Sequence, residues 1–415
     1  MYSQRIAPTL IVVLSMVVAA RISPAIPAAQ LPLPTGNYPV GRTNYLWFDA
    51  ARSGRPVRVD FWYPAEPGKS LLASYRPDFD VLLKNPTTRQ GLEHEFGPHL
   101  SDLEITTLRS SAYESAGVAR SGRPFPVVLF SHGLGICTYD YTIQLEDLAS
   151  HGYIIAAVEH INDSLGVILS DQKVVPFDGA LWKQYPASSS ASEETAKFYQ
   201  ARAKLWAEDL LFVLNQLSFS TATEHSFPHG TLDFSRAGVF GHSHGGRSAA
   251  TACLLDERIK ACLNEDGRMG DCPYWPIAGH HIHGVFAMLD WFDSGFNEED
   301  FVVMHTDLKT YAQSKVNAVG PALEAYNSVD GGSYHLTMLQ SGMSHLAFTD
   351  IELLTARSDA SRLRSTQCLL TIRQIVREFF DQTLKGVPSH LLNFGSVEDD
   401  ILLQCHQPAQ TRVSK

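Results

Sequence analysis

The stretch Ala237-Gly238-Val239-Phe240-Gly241-His242-Ser243-His244-Gly245-Gly246 decides the reading of this chain. An apolar, strand-like run, Ala237 to Phe240, leads directly into Gly241-His242-Ser243-His244-Gly245, and His244 to Leu255 then carries the small side chains of a closely packed helix. The pentapeptide fits G-x-S-x-G, in which the serine occupies a sharp strand-to-helix turn and its hydroxyl stands exposed. Flanking glycines are needed there because side chains would collide with neighbouring backbone, and the serine is held under strain. Ser243 is therefore the candidate nucleophile. Free N–H groups at the start of the following helix, that of His244 among them, can stabilise charge developing on a bound oxygen. The strand before and the helix after argue against a chance pentapeptide in a glycine-containing loop.

Working outward, Pro126 to Phe130 is a continuous aliphatic run ending in Ser131-His132-Gly133-Leu134-Gly135, which reads as a buried parallel strand and its loop. The Leu134 N–H is the candidate second donor to an oxyanion. Helical spacing follows from Tyr141 to Ser150, stopping at Gly152, and Tyr153 to Val158 is another aliphatic run, so strand, helix and strand succeed one another as a βαβ unit requires. Before this unit, Val57 to Tyr63 alternates apolar and polar residues and suits an antiparallel strand near a sheet edge, whereas 71–122 has no clear period. Beyond it, Glu193 to Leu217 reads as a long helix, Lys260 to Leu263, Ile282 to Leu289 and Tyr334 to Leu339 as strands, and Leu363 to Leu384 as a closing helix. The series predicts one doubly wound α/β domain over 29–415, a mostly parallel sheet with helices on both faces, and insertions near 163–192 and 291–331.

A serine of this type needs a histidine base and an acid that fixes the base's tautomer, and in chain order the acid and then the histidine follow it. His345, after the Tyr334 to Leu339 strand and before the closing helix, is the best placed histidine. Asp266 and Asp290 each follow a strand and both fit the acid's place. His280, His281 and His283 lie close together but lack an HExxH-like frame, so they read as solvated or packed rather than metal-binding. No metal or organic cofactor is expected.

The composition, 44% hydrophobic and 19% charged with a net charge of −11, is that of a folded globular protein that repels a phosphate backbone, so nucleic acid is not an expected partner. Arg5, the apolar run Ala7 to Ala20 and the small residues and prolines through Ala29 have the form of a cleavable secretory signal, assigned to 1–28, and the expected location is extracellular or periplasmic. Six cysteines then meet an oxidising compartment, and spacing weakly favours pairing Cys262 with Cys272 and Cys368 with Cys405, with Cys253 as a buried small residue.

From Trp62-Tyr63-Pro64 to Phe348 and Asp350 the chain resembles the plasma and intracellular type II platelet-activating factor acetylhydrolases, which are α/β-hydrolases acting on phospholipids with short or oxidised acyl chains. The match rests on Phe130-Ser131-His132-Gly133-Leu134-Gly135, Leu148-Ala149-Ser150-His151-Gly152 through Ala157-Val158-Glu159-His160, Gly241-His242-Ser243-His244-Gly245-Gly246, and the H-x-x-F-x-D pattern of His345 to Asp350. His244 stands where an aromatic residue is usual. The resemblance implies Asp266, in Asn264-Glu265-Asp266-Gly267, as the acid in preference to Asp290, and an ester of a small molecule or lipid as substrate, with peripheral contact to lipid surfaces. The interval from Asp266 to His345 is longer than the pattern has, which bears on the acyl pocket. Rival readings are a broad carboxylesterase, a dienelactone-hydrolase-like enzyme or polyester hydrolase, an acyltransferase, and a catalytically silent binding protein. Trp62, Tyr139 and Phe348 are more simply core residues than site-lining ones.

Overall fold

In the computed structural model the described residues are 31–66, 68, 70–96, 105, 107–169, 172–184, 193–219, 227–267, 282–291, 310, 329–339, 343–392 and 401–406, the last three of these as backbone. Thirteen strands are found among them: β1 (Val40–Asp49), β2 (Arg55–Pro64), β3 (Leu72–Ser74), β4 (Arg109–Glu114), β5 (Phe125–Ser131), β6 (Ile154–Glu159), β7 (Gly166–Ile168), β8 (Val174–Pro176), β9 (Leu232–His242), β10 (Ile259–Glu265), β11 (Val285–Trp291), β12 (Ser333–Met338) and β13 (Ile401–His406). The helices are α1 (Phe79–Lys84), α2 (Pro86–Phe96), α3 (Thr142–Ser150), α4 (Gly179–Lys183), α5 (Glu193–Phe219), α6 (His244–Leu255), α7 (Asp350–Thr355) and α8 (Asp359–Lys385).

Eleven strands form one sheet in the order β13-β12-β11-β10-β9-β5-β6-β2-β1-β4-β3, and β7 and β8 make a separate hairpin. The pairs from β12 through β11, β10, β9 and β5 to β6 are all parallel, while β13 at one end and β2 at the other join antiparallel. The centre of the sheet is apolar on both faces, as β5 shows: Phe125 to Ser131 is buried throughout, which is what continuous aliphatic runs dictate for strands covered on both sides. One core packs α3 and α8 against Phe130, Ala157, Phe240 and Leu263, and the other packs α5 and α6 against Val127, Leu129, Val239 and Cys262. In α8 the buried stripe of Leu369, Ile372, Ile375, Val376, Phe379 and Phe380 stabilises by roughly 1.5–3 kcal/mol per side chain, as an upper bound. This is the α/β-hydrolase fold.

The chain leaves β5 towards β6 and returns on the opposite side of β5 with β9. Such a switch of direction opens a crevice at the carboxyl ends of the two strands. The loop from Ser131 to Gly135 and the turn at Ser243 face each other there.

The structure corrects several expectations. Residues Val57 to Tyr63 form an antiparallel strand as expected, but all are buried and β2 lies between β6 and β1 rather than at the edge. The polar members are held internally: Asp60 accepts hydrogen bonds from the Tyr139 and Thr138 hydroxyls at 2.6 and 2.9 Å, and Arg58 lies at 3.5 Å from Asp60. The aperiodic 71–122 region contributes β3, β4, α1 and α2, and the 163–192 segment carries the β7–β8 hairpin and α4 rather than loop alone. β11 starts three residues later than its apolar run does. Cys253 and Cys262 are free, buried thiols facing each other, so Cys262 is not paired with Cys272. Residues 1–28, nearly all of 291–331, Cys272 and the side chain of Cys405 lie outside the described residues.

Candidate active site

Ser243 stands between β9 and α6 with φ 57 and ψ −121, a conformation that costs an L-residue energy and that persists only when its surroundings enforce it. The surroundings do so. The Ser243 N–H donates to the Glu265 carbonyl at 2.8 Å, and a Cβ built on Gly245 would lie 2.2 Å from the Ser131 carbonyl oxygen and 2.3 Å from that of His132. The elbow therefore packs backbone to backbone against the end of β5, and only glycine at 245 permits the approach.

His345 opens a 3-10 turn, His345–Phe348, that Ser344 caps through a hydrogen bond from the Leu346 N–H. The turn is tied to α3: Gln144 Nε2 donates to the Phe348 carbonyl at 2.7 Å, and the Asp350 carboxylate accepts from the Tyr75 hydroxyl and the Ile143 N–H. His345 Nε2 lies 2.8 Å from Ser243 Oγ, and His345 Nδ1 lies 2.5 Å from Asp266 Oδ2. With Nδ1–H donating to the carboxylate, Nε2 is left to accept the serine proton, so the pair of contacts fixes one tautomer. The His345 side chain is 47% exposed and Ser243 is half-buried.

Asp266 follows β10 at φ 49. Asn264 closes its turn by donating from Nδ2 to the Gly267 carbonyl at 2.9 Å and accepting the Gly267 N–H at 2.8 Å. Trp291 Nε1 donates to Asp266 Oδ2 at 2.9 Å, the same oxygen that meets His345. Asp290, the alternative acid, is engaged elsewhere: its Oδ2 lies 2.8 Å from His335 Nε2. The geometry thus joins Ser243, His345 and Asp266 and leaves Asp290 out.

In the loop after β5, the Gly133 N–H donates to the Tyr141 hydroxyl at 2.9 Å and the Gly135 N–H to the Asp163 carbonyl at 2.8 Å. Among the described residues, neither the Leu134 N–H between them nor the His244 N–H at the start of α6 has a hydrogen-bond partner in the protein. Free backbone N–H groups of this kind are what an oxyanion requires.

Beneath the loop runs a second chain of polar groups that sequence reasoning did not find. The Ser131 hydroxyl donates to His160 Nε2 at 2.9 Å, His160 Nδ1 lies 3.1 Å from Asp209 Oδ2, and Asp209 accepts from Arg55 and Arg52. Trp206 stacks on His160 with ring centroids 4.0 Å apart. Ser131, His160, Trp206 and Asp209 are buried, and burial lowers the His160 pKa from 6.5 to about 3, so the ring is neutral and acts as a strut. Burial likewise lowers the pKa values of His242 and His244. It raises that of Glu265, whose two carboxyl oxygens have no hydrogen-bond partner among the described residues. No signal in the sequence marked Tyr141, Asp163, Asp209 or Trp291, because each has a partner far along the chain, 101 residues away for Tyr141 and His242, 49 for Asp209 and His160 and 25 for Trp291 and Asp266.

Of the remaining sequence candidates, Trp62 and Tyr139 are core residues, while Phe348 stacks on His242 at 5.3 Å behind His345. His283 pairs with Asp330 at 3.0 Å on the surface, and His280 and His281 lie outside the described residues. Among the described residues no group of His, Cys, Asp or Glu is arranged to hold a metal ion, and no helix is long and apolar enough to cross a membrane.

The chain is similar to curated platelet-activating factor acetylhydrolases: 26% identical over 260 residues to that of Bos taurus, 27% over 259 residues to that of Canis lupus familiaris and 28% over 264 residues to that of Cavia porcellus. These matches take in 58–61% of this chain and span 56–57% of the length of those relatives. A solved ferulic acid esterase from Streptomyces cinnamoneus superposes with a TM-score of 0.64 at 23% identity, covering 91% of this chain and 99% of the other, which establishes the shared fold. The model of the family described as platelet-activating factor acetylhydrolase, isoform II, matches residues 25–273, a stretch that includes Leu134, Ser243, His244 and Asp266 and stops short of His345. At more than half of the chain, that match makes this protein a member of the platelet-activating factor acetylhydrolase, isoform II, family.

Proposed function

We propose that the protein is a serine hydrolase of carboxylic esters, and that its preferred substrates carry short acyl groups, the sn-2 ester of a phospholipid such as platelet-activating factor among them. The observation that carries the reading is the unbroken series from Asp266 Oδ2 through His345 to Ser243 Oγ at 2.5 and 2.8 Å, with the serine on a strained elbow. Ser243 Oγ attacks the ester carbonyl while His345 Nε2 takes its proton, and Asp266 stabilises the imidazolium that results. The Leu134 and His244 N–H groups bind the oxyanion. As the carbon–oxygen bond breaks, His345 returns the proton to the departing alcohol. Water then attacks the acyl-enzyme with His345 again as base, releasing the acid and restoring the serine. Family membership supports the choice of ester chemistry, and the names of the curated relatives support the phospholipid substrate.

A broader carboxylesterase is the second reading. It is favoured by the near-complete structural overlap with a ferulic acid esterase, against partial coverage of the acetylhydrolase relatives. Turnover of a 2-acetyl phospholipid, a long-chain phospholipid, methyl ferulate and p-nitrophenyl acetate separates the readings. Preference for the acetyl phospholipid supports the first, equal turnover of long chains removes it, and a preference for the two simple esters supports the second. The leader-like sequence at 1–28 supports export to an extracellular or periplasmic location, where contact with lipid surfaces brings the enzyme to its substrate. Sequencing the N-terminus of the exported protein tests this, and an intact Met1 would refute cleavage.

A further inference from the structure

Tyr141 joins three parts of the candidate site through one oxygen. The Gly133 N–H donates to it at 2.9 Å, and that uses an acceptor position, so its own proton goes to His242 Nδ1 at 2.8 Å. His242 is the residue before Ser243, and its ring stacks on Phe348 and lies 4.5 Å, centroid to centroid, from the ring of His345. The hydroxyl therefore connects the loop after β5, the elbow and the histidine turn. Tyr141, His242 and Phe348 are buried, and burial keeps the Tyr141 hydroxyl protonated and the His242 ring neutral.

In Gly133-Leu134-Gly135 the first N–H is held by Tyr141 and the third by the Asp163 carbonyl. With its neighbours on both sides fixed, the peptide that carries the Leu134 N–H has one orientation open to it. We propose that Tyr141 is a positioning residue whose hydroxyl aims the Leu134 N–H at the reacting carbonyl and holds His242 as a fixed wall behind His345. This rests on the reading of Ser243 as nucleophile and Leu134 as oxyanion donor. Nothing in it requires Tyr141 to touch substrate. Its effect is confined to the transition state, because the carbonyl oxygen of the bound ester makes weaker use of the donor than the oxyanion does.

The test is Tyr141→Phe in the full chain, assayed with p-nitrophenyl acetate, with kcat expressed per site titrated by a fluorophosphonate. Loss of an oxyanion donor costs about 10²- to 10³-fold in kcat, so a misaligned one is expected to cost about 10- to 100-fold, with KM changed by no more than about twofold. The inhibition constant of a trifluoromethyl ketone, which mimics the tetrahedral state, rises by the same factor. His242→Phe removes the acceptor of the same hydroxyl and is expected to move kcat in the same direction with KM unchanged. Unaltered kcat per titrated site in both variants, or unaltered ketone affinity, overturns the positioning role. Ser243→Ala separates the two layers: if it is inactive while Tyr141→Phe is unchanged, only this inference fails, and if it retains parental activity, the nucleophile reading fails.

Discussion

Replacing Asp266 by Asn tests the acid and, with Asp290→Asn beside it, discriminates between the two aspartates that residue order left open. Two orientations of the new amide bracket the effect. If the amide nitrogen faced His345, the ring would have to turn to the tautomer with Nε2–H, which cannot take the serine proton, and loss of the correct tautomer costs about 10⁴-fold in serine hydrolases. Trp291 Nε1, however, donates to the same Oδ2 at 2.9 Å and favours an oxygen in that place. The tautomer then survives and only the carboxylate charge is lost. Opposite charges about 4 Å apart at an effective dielectric of about 20 interact by about 4 kcal/mol, which at 1.36 kcal/mol per decade is about 10³-fold in rate. His345 is half exposed, so solvent screening lowers this, and the expected loss in kcat for Asp266→Asn is about 10²- to 10³-fold. Asp290→Asn should change kcat by less than about threefold, since its partner is His335. Initial rates with p-nitrophenyl acetate, with near-ultraviolet circular dichroism as the check on folding, decide the matter. A loss under tenfold at 266, or an equal loss at 290, would refute the reasoning.

Three further outcomes follow from the same geometry. His160, with its pKa lowered from 6.5 to about 3, and His242 and His244, lowered by burial, are neutral when folded and bind protons only on unfolding. The unfolded state therefore takes up more protons below about pH 6.5, and stability should fall with acidification towards pH 3 by up to about 1.4 kcal/mol per pH unit for each ring, read from denaturant midpoints. A flat profile from pH 7 to 5 would exclude it. Glu265 has its pKa raised by burial, so its contribution is present below the unfolded value of 4.5 and is lost as pH rises, and Glu265→Gln should raise Tm at pH 8 more than at pH 5. An equal or opposite shift would show that the carboxylate finds a partner. Gly245→Ala would drive a methyl group into the Ser131 and His132 carbonyls and is expected to abolish fluorophosphonate labelling, whereas parental labelling would contradict the packing described for the elbow.

The central part of the fold was legible because parallel strands covered on both faces carry continuous apolar runs, as β5, β6 and the Ala237 to Phe240 half of β9 do. The antiparallel strands were less legible. In β2 a buried ion-and-hydroxyl network satisfies Arg58 and Asp60, so the polar positions whose alternation suggested a place near the edge are interior. β13 depends on pairing with β12 across more than sixty residues of intervening chain, and nothing local prescribes that.

What the sequence determined alone is local: the strand, elbow and helix around Ser243, and the loop that offers the Leu134 N–H. These follow from steric rules acting within a few residues. The contact of His345 with Asp266 rather than with Asp290, the hydrogen bonds of Tyr141 to loop and elbow, and the struts of His160 and Asp163 belong to the tertiary structure; residue spacing left both aspartates open, and only the family resemblance pointed to Asp266. A hydrogen bond is fixed by a few tenths of an ångström between groups that the chain brings together from far apart, and residue spacing carries no record of that distance.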